Sequence, residues 1–492
     1  MQYKSTRSDI RVSDVEAVLQ GLSPDGGLFV LPEIESIDFD WRLCLEKTPL
    51  GMAEMILSTL LPGYENMGEL VSLAYEGKFD DPMLCPLKAL GEDYVLELFH
   101  GPTSAFKDVA LSMLPRLISA ARAQQGSSGE TVILTATSGD TGKAALEGFH
   151  DVPGTRIVVF YPDEGVSPIQ KAQMVKQQGA NVKVCAVRGN FDDCQRGVKE
   201  AFARIGGEGL LEGTPYSLSS ANSINIGRLA PQLTYYFIAY SELLKRGEIE
   251  LGELVDFSVP TGNFGDILAG CYAKYLGLPV GKLICASNAN RVLTDFIESG
   301  LYDRRREFLR TSSPSMDILV SSNLERLLYH VLGGDSAKLR SYMESLGKEG
   351  YYQVDEETLS RIQELFSAYC CDEEDTSKSI AQVYESCGYV CDTHTAVGWY
   401  AAQRYKESAI EKRPMVILST ASPYKFPDAV LSALGAESGG DEFEMLRTLE
   451  KISRVPVPAG LSALESRPIL HSDVIDRDEI IPYILKWLGK EV

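Results

Sequence analysis

Short apolar segments alternate with helical stretches from about residue 94 onward, and this alternation limits the possible folds more than any other feature. Strands are predicted at 94–99, 131–137, 156–162, 181–187, 255–260, 282–287 and 415–420. Helices are predicted at 104–122, 141–149, 168–178, 191–205, 226–245 and 266–276. Strands that alternate with helices form an α/β fold, with a largely parallel sheet covered on both faces. Because ligands bind beyond the carboxyl ends of such strands, we expect the chemistry in the loops that follow them.

The length of the chain indicates more than one domain. Its 492 residues correspond to about three domains at roughly 150 residues each. We expect a mostly helical N-terminal domain at 1–93, a large α/β domain at 94–130 and 215–492, and a smaller α/β domain at 131–214. The charged stretch at about 300–385 is expected to be a helical insertion in the large domain, with its charges on solvated faces.

The charge balance and the apolar pattern exclude several classes of partner. The chain has 47 Lys and Arg against 69 Asp and Glu, a net charge of −22, so neither nucleic acid nor an acidic membrane surface is expected to bind. No apolar run reaches about 18 residues, and the polar start carries no secretory signal pattern. Ten scattered cysteines suit a reducing compartment, and the cytoplasm is the expected location.

The segment FHGPTSAFKD, residues 99–108, places a lysine at the start of a predicted helix. Thr103 or Ser104 can cap this helix, which puts Lys107 in its first turn among apolar neighbours. The positive end of the helix dipole and apolar burial both disfavour an ammonium. Lys107 is therefore a candidate nucleophilic amine of the kind that forms a Schiff base. The alternative is a surface lysine that follows a cap.

The segment TATSGDTGKAA, residues 135–145, runs from a strand into a predicted helix. Backbone N–H groups and hydroxyls at such a junction bind a carboxylate or a phosphate. The candidate residues are Ser138, Gly139, Asp140 and Thr141, and a simple helix cap is the alternative. A nucleotide-binding P-loop is excluded, because Thr137 stands where that motif needs glycine and Ala144 where it needs Ser or Thr.

Three further segments follow or precede predicted elements in the same way. PTGNFGD (260–266) has two glycines beside a helix start and is a candidate phosphate cradle. In STASPYKF (419–426), Thr420 either faces a bound ligand or belongs to a turn before Pro423. In SSANSINIGR (219–228), amides and a guanidinium suit an anionic substrate, and helix capping by Asn225 competes with that interpretation.

A zinc site is the remaining possibility that the sequence raises. Cys387, Cys391 and His394, with the vicinal Cys370 and Cys371, contain zinc ligand types. Their spacing is irregular and there is no second knuckle, so we expect no metal.

Taken together, these segments resemble those of threonine synthases over nearly the whole chain. YKSTRS (3–8), GLSPDGGLFV (21–30) and CDTHTAVG (391–398) are similar to other motifs of that family. Thr393 and Ser422 depart from it, since proline and histidine are expected at these two positions. The family implies a pyridoxal-phosphate-dependent enzyme of fold type II, similar to tryptophan synthase β, in which the large domain binds the cofactor and the smaller one lies on the substrate side.

The resemblance also implies roles for the candidate residues. Lys107 would hold pyridoxal 5'-phosphate as a Schiff base, and Thr420 would face the pyridine nitrogen, where a neutral hydroxyl moderates the electron sink. The cofactor phosphate would be surrounded by Gly262, Asn263, Phe264, Gly265 and Asp266. The substrate carboxylate would lie near Ser138, Gly139, Asp140 and Thr141. The substrate phosphate would lie near Asn222, Asn225 and Arg228.

The implied reaction converts O-phospho-L-homoserine and water to L-threonine and phosphate, the last step of threonine biosynthesis. Lys107, once released from the cofactor, would act as the base. The first alternative is a threonine-synthase-like phospho-lyase that gives 2-oxobutyrate from the same substrate. A dehydratase acting on threonine or serine and a non-catalytic homologue are further alternatives. The expected partner is a small-molecule substrate, and the expected assembly is a monomer or a homodimer.

Overall fold

A computed structural model describes residues 1–126, 129–137, 139–163 and 166–490. Its strands are β1 (Gln2–Ser5), β2 (Arg11–Ser13), β3 (Phe29–Val30), β4 (Leu87–Leu90), β5 (Asp93–Glu97), β6 (Glu130–Ala136), β7 (Thr155–Pro162), β8 (Val182–Val187), β9 (Tyr216–Ser219), β10 (Val255–Pro260), β11 (Val280–Ser287), β12 (Leu301–Asp303), β13 (Tyr351–Gln353), β14 (Phe366–Cys370), β15 (Met415–Ser419) and β16 (Val474–Ile475).

The helices cover both faces of the sheets and build the N-terminal and inserted regions. They are α1 (Asp14–Gln20), α2 (Trp41–Leu45), α3 (Pro49–Leu60), α4 (Met67–Tyr75), α5 (Lys107–Gln124), α6 (Asp140–Phe149), α7 (Pro168–Val175), α8 (Phe191–Gly207), α9 (Ile226–Leu229), α10 (Leu233–Lys245), α11 (Gly265–Tyr275), α12 (Val292–Ser299), α13 (Leu324–Val331), α14 (Ser336–Lys348), α15 (Glu356–Leu365), α16 (Glu373–Cys387), α17 (Thr393–Ser408), α18 (Pro427–Ala433), α19 (Glu442–Ser453), α20 (Ala459–Ser462) and α21 (Ile480–Trp487). Short 3₁₀ turns lie at Ile34–Ser36, Ala230–Gln232, Pro314–Met316, Pro423–Lys425 and Arg477–Glu479.

The larger sheet has six strands in the order β14-β11-β10-β15-β5-β4. All neighbours are parallel except β4 and β5. Every residue of β10 and β15 is buried, which explains their nearly continuous apolar sequences, since helices cover both faces of a parallel sheet. The carboxyl ends of β10, β15 and β5 lie side by side, so the loops after these strands meet at one edge.

The smaller sheet has five strands in the order β16-β8-β7-β6-β9, and all of its neighbours are parallel. Two of its strands, β9 and β16, come from outside the segment 131–214. The predicted α/β class with parallel-rich sheets is therefore confirmed, while the domain boundaries stay a prediction.

The N-terminal region contains a small sheet that the sequence analysis missed. We expected residues 1–93 to be mostly helical, and α1–α4 are present. However, β1, β2 and β3 also form an antiparallel sheet. Just after β1, Thr6 Oγ1 and Arg7 both donate hydrogen bonds to the Glu325 carboxylate, with Arg7 Nη2 at 2.7 Å from Oε2. Thr6 and Arg7 thus connect the N-terminal sheet to α13.

The segment at 300–385 is only partly the helical insertion that we expected. It contains α13–α16, but also the antiparallel pair β12 and β13 and the edge strand β14 of the larger sheet. One further prediction was too simple: the single helix at 226–245 is divided into α9, a 3₁₀ turn and α10. Pro231 lies in that turn, where the proline lacks the N–H that a continuous helix would use.

Candidate active site

The lysine loop, residues 99–108, joins β5 to α5. Lys107 is the first residue of α5, as predicted, but neither Thr103 nor Ser104 caps the helix, whose N-cap is Phe106. Instead, Thr103 N and Oγ1 donate hydrogen bonds to the Asp108 carboxylate at 2.8 and 2.6 Å. Phe106 N donates to the carbonyl oxygen of Thr420 at 2.8 Å. The loop is therefore held by the Asp108 carboxylate and by the residue that follows β15.

The Lys107 amine is buried and has a single hydrogen-bond partner among the described residues. Its Nζ lies 3.2 Å from Ser315 Oγ, and the residue is 9% exposed. Burial lowers the pKa of Lys107, and the nearby cations Arg228 and Lys425 lower it further against the opposing charges of Asp140 and Asp266. The predicted depression of the lysine pKa is thus present, and its main cause is burial.

The glycine loop, residues 260–266, follows β10 and starts α11. Phe264 adopts a left-handed conformation with φ 61° and directly precedes the first residue of the helix. A Cβ on Gly262 would lie 2.5 Å from the carbonyl oxygen of Ser315, so only glycine fits there. Asn263 is exposed, while burial raises the pKa of Asp266 to about 6. The N-terminus of α11 thus lies directly after the loop that we predict to bind a phosphate.

Thr420 follows β15 and lies beside the lysine loop. It is buried, and besides the Phe106 contact its neighbour Ala421 forms a bridge with Ala105. The Oγ of Ser419 lies 2.9 Å from Thr395 Oγ1. The end of β15 is therefore packed directly against the segment that carries Lys107.

The loop between β6 and α6 is only partly as expected. Ser138 lies outside the described residues, and Thr141 is half-buried. The Asp140 carboxylate is not free for a ligand, because its Oδ1 lies 2.9 Å from Lys425 Nζ and 3.1 Å from Gln170 Nε2. Burial by itself would raise the pKa of Asp140, but the ammonium groups of Lys425 and Lys107 outweigh that effect and hold it well below its usual range.

The three candidates at 219–228 differ in what their side chains contact. Asn222 is exposed. Asn225 caps α9 through Gly227 N at 2.9 Å and donates to the carbonyl oxygen of Val18 at 2.9 Å, which supports the capping interpretation. Arg228 is buried, and it has neither a carboxylate partner nor a partner for its Nε among the described residues. Burial lowers the pKa of Arg228 to about 10.

Four polar residues of this region were missed by the sequence analysis as site residues. Ser315 contacts Lys107 and is 208 positions away in sequence, so no local pattern could reveal it. His394 and Asp392 lie in the CDTHTAVG motif, where His394 was considered only as a zinc ligand. Lys425 lies in the STASPYKF motif, and its positive charge was the only feature of the sequence that could have marked it as a site residue.

The described residues suit an anionic, aldehyde-bearing cofactor. A buried amine with a lowered pKa meets the requirement for a Schiff base, and the N-terminus of α11 beside Gly262 meets that for a phosphate. Arg228 adds a buried positive charge that no described carboxylate neutralises. In the described ranges, no group of three or more His, Cys, Asp or Glu could hold a metal ion, and no helix has the length and apolar composition needed to cross a bilayer.

Comparison with known proteins identifies the family. Residues 86–421 match the family of pyridoxal-phosphate dependent enzymes, and residues 395–480 match the threonine synthase C-terminal family. Threonine synthase from Pseudomonas aeruginosa is 39% identical over 442 residues, which cover 88% of this chain and 90% of that protein. Threonine synthase-like 1 from Pongo abelii is 40% identical over 434 residues, or 85% of this chain. This chain covers only 58% of that protein.

A solved structure agrees over the whole chain. The crystal structure of a threonine synthase from Brucella melitensis with pyridoxal phosphate bound has a TM-score of 0.86 at 37% identity and covers 99% of this chain and 98% of that one. The predicted fold type II and the predicted cofactor, pyridoxal phosphate, are thereby confirmed. The chain belongs to the threonine synthase family of pyridoxal-phosphate-dependent enzymes.

Proposed function

We propose that this protein converts O-phospho-L-homoserine and water to L-threonine and phosphate. The observation that carries the proposal is the buried Lys107 amine, which has only the Ser315 hydroxyl as a partner in the described residues and lies at the edge where the lysine loop, the glycine loop and Thr420 meet. Pyridoxal phosphate, when bound, supplies an electron sink for a carbanion. Lys107 would hold the cofactor, Gly262–Asp266 its phosphate, and Thr420 would face its ring nitrogen.

The chain's own residues supply proton transfer at the substrate. The Lys107 amine, when free, removes the proton from the substrate Cα and, once it has passed that proton on, removes one from Cβ. Burial lowers the pKa of Lys107 and so favours the free amine. After phosphate leaves from Cγ, the same amine can return a proton to Cγ, and water adds at Cβ.

Two anionic groups on the substrate require separate positive sites. We assign the substrate phosphate to Arg228, with Asn222 at the exposed side, since a buried guanidinium that has no carboxylate partner and a free Nε among the described residues is a strong phosphate donor. Asn225 would act through the backbone it caps. We assign the substrate carboxylate to the start of α6 at 138–141. There Asp140 would contribute its backbone N–H, because its carboxylate is paired with Lys425.

The second candidate is the phospho-lyase reaction, which releases phosphate and gives 2-oxobutyrate. Similarity does not separate the two reactions, because this chain is 40% identical to threonine synthase-like 1 and 39% identical to threonine synthase from Pseudomonas aeruginosa. The two reactions share proton removal by Lys107 and differ in whether water is added at Cβ. The site residues proposed above serve either reaction equally.

The test is incubation of the cofactor-loaded protein with O-phospho-L-homoserine, followed by measurement of threonine, 2-oxobutyrate and phosphate. Threonine and phosphate in equal amounts support the synthase, and 2-oxobutyrate with phosphate supports the lyase. If neither threonine nor 2-oxobutyrate forms, and the near-visible absorbance of lysine-bound cofactor is also absent, the protein is a non-catalytic homologue. The Lys107→Ala variant serves as the blank.

A further inference from the structure

Four residues form a continuous chain of contacts, through three side chains and both the hydroxyl and the backbone N–H of Ser315, that begins at the candidate lysine and ends in the helix cap of α17. Lys107 Nζ lies 3.2 Å from Ser315 Oγ. Ser315 N lies 3.2 Å from His394 Nε2, and His394 Nδ1 lies 2.7 Å from Asp392 Oδ2. Asp392 and His394 are almost completely buried. The function proposed above assigns no role to His394 or Asp392.

The contacts determine which nitrogen of His394 carries the proton. A backbone N–H can only donate, so Nε2 must accept from Ser315 with its lone pair. The proton of the neutral ring is therefore on Nδ1 and is donated to Asp392. Asp392 is fixed in turn, because it caps α17 by accepting hydrogen bonds from His394 N and Thr395 N, both at 3.0 Å. The rigid helix end thus sets both the tautomer and the orientation of the imidazole.

The turn that His394 holds, Pro314–Met316, touches both parts of the cofactor site. The Ser315 hydroxyl faces Lys107, while the Ser315 carbonyl oxygen lies so close to Gly262 that a Cβ there would be 2.5 Å away. The residues before the turn are anchored too, since Thr393 Oγ1 donates to the carbonyl oxygen of Ser312 at 2.8 Å. A displaced turn would therefore disturb the lysine and the glycine loop together.

We propose that Ser315 orients the Lys107 amine and that His394, held by Asp392, is a positioning residue that keeps Ser315 and the glycine loop in place for the cofactor. The proposal deepens the function proposed above and rests on it for the role of Lys107. His394 is not itself the base in this arrangement, because Asp392 and the Ser315 N–H occupy its two ring nitrogens. Thr393, where the family pattern has proline, supports the same turn.

Three variants separate orientation of the lysine from support of the turn. Ser315→Ala removes the hydroxyl but keeps the N–H and the carbonyl. His394→Gln keeps an acceptor that can reach the Ser315 N–H, whereas His394→Asn is too short to do so. His330→Gln is the matched control, since its ring contacts Tyr272 OH at 3.0 Å and belongs to α13 rather than to this chain of contacts.

The primary measurement is the affinity of cofactor-free protein for pyridoxal phosphate, with the thermal midpoint of the same samples. His394→Asn should bind the cofactor roughly tenfold more weakly, as the loss of one hydrogen bond of about 1.4 kcal/mol implies. His394→Gln should recover most of that affinity. Ser315→Ala and His330→Gln should bind as the wild type does.

The second measurement is steady-state kinetics with O-phospho-L-homoserine. Ser315→Ala should lower kcat roughly tenfold with KM unchanged, because the contact that it removes is made to the proton-transferring amine and not to the substrate. His330→Gln should leave kcat unchanged.

Two results would overturn the proposal. One is equal cofactor affinity in His394→Gln and His394→Asn, whatever their thermal midpoints, since a purely structural histidine would change only the midpoint. The other is a wild-type kcat in Ser315→Ala. If the wild type makes neither threonine nor 2-oxobutyrate, the proposed function fails, while the cofactor-affinity comparison still decides the role of His394.

Discussion

Two loops of this molecule each place a buried lysine near the start of a helix that follows a strand, yet the two lysines differ in their partners. Lys143 in α6 donates to Glu147 Oε2 at 3.0 Å and to Gln177. Lys107 in α5 has only a hydroxyl at 3.2 Å. Burial lowers the pKa of both lysines, although Glu147 opposes that effect at Lys143. Burial is therefore common to both lysines, and the lack of a carboxylate partner among the described residues is what distinguishes Lys107, the lysine that we propose to be reactive.

Removing the unpaired lysine tests this comparison most directly. Lys107→Ala should lower kcat by at least about 10³-fold, because the base and the covalent anchor are both lost. The free energy of unfolding should not fall, since the variant no longer has to bury an amine in a poorly solvated site. Product formation and urea unfolding measure the two effects. Turnover near the wild-type rate with cofactor bound would contradict the assignment of Lys107.

A third buried lysine shows the opposite extreme, because Lys425 is fully paired. Its Nζ lies 2.9 Å from Asp140, 2.6 Å from Gln173 Oε1 and 3.1 Å from the carbonyl oxygen of Thr103. Lys425→Met should reduce the free energy of unfolding by about 3–5 kcal/mol, because it leaves a buried carboxylate without a cation. Urea denaturation measures the loss.

The double variant Lys425→Met/Asp140→Asn is the control for this prediction. It removes the buried Asp140 charge that Lys425→Met leaves without a cation, and it should be more stable than Lys425→Met alone. If Lys425→Met lowers the free energy of unfolding by less than about 1 kcal/mol, the buried ion pair between Lys425 and Asp140 does not stabilise the fold as we describe.

Replacing Lys143 should have a smaller effect on stability. Lys143→Met leaves Glu147, whose side chain is 30% exposed and can therefore be hydrated. The expected loss in the free energy of unfolding is about 1–2 kcal/mol, with kcat unchanged. Urea unfolding and the threonine assay measure both. A loss of activity as large as that of Lys107→Ala would remove the distinction between the two lysines.

The inner strands of both sheets could be predicted because burial on both faces leaves a continuous apolar sequence. The edge strands β4, β9, β14 and β16 were not predicted. The prediction for β10 has the same bounds as the structure, 255–260. The strand β14 was missed because it is a five-residue edge strand that directly follows α15 within a highly charged segment. A short edge strand carries too weak a pattern to stand out against its surroundings.

The candidate site could be predicted in its loops but not in its long-range contacts. The lysine loop and the glycine loop were found because each follows a strand and starts a helix. That Asp140 is paired with Lys425 could not be read from the sequence, since the pairing joins residues 285 positions apart that only the packing of α6 against the end of β15 brings together. Ser315 was missed for the same reason.

The smallest expected effect concerns a second basic side chain in the lysine loop, His100, which has carboxylate partners where Lys107 has none in the described part of the chain. His100 lies between two carboxylates, with Nε2 at 2.9 Å from Glu97 Oε2 and Nδ1 at 2.5 Å from Asp80 Oδ1. Burial by itself would lower the pKa of His100, but the hydrogen bonds to Glu97 and Asp80 outweigh it and raise the pKa above 6.5. The charged His100 therefore stabilises the folded state fully below about pH 6.5, and this contribution is lost as the pH rises through the raised pKa of His100.

The wild type should accordingly lose stability relative to His100→Gln as the pH rises above about 6.5. Because Asp80 is mostly exposed, the difference should stay below about 1 kcal/mol. Urea unfolding of both proteins at several pH values measures it. A difference that does not depend on pH would mean that His100 is not charged in the folded state. The contrast between basic side chains with and without a carboxylate partner would then rest on Lys107, Lys143 and Lys425 alone.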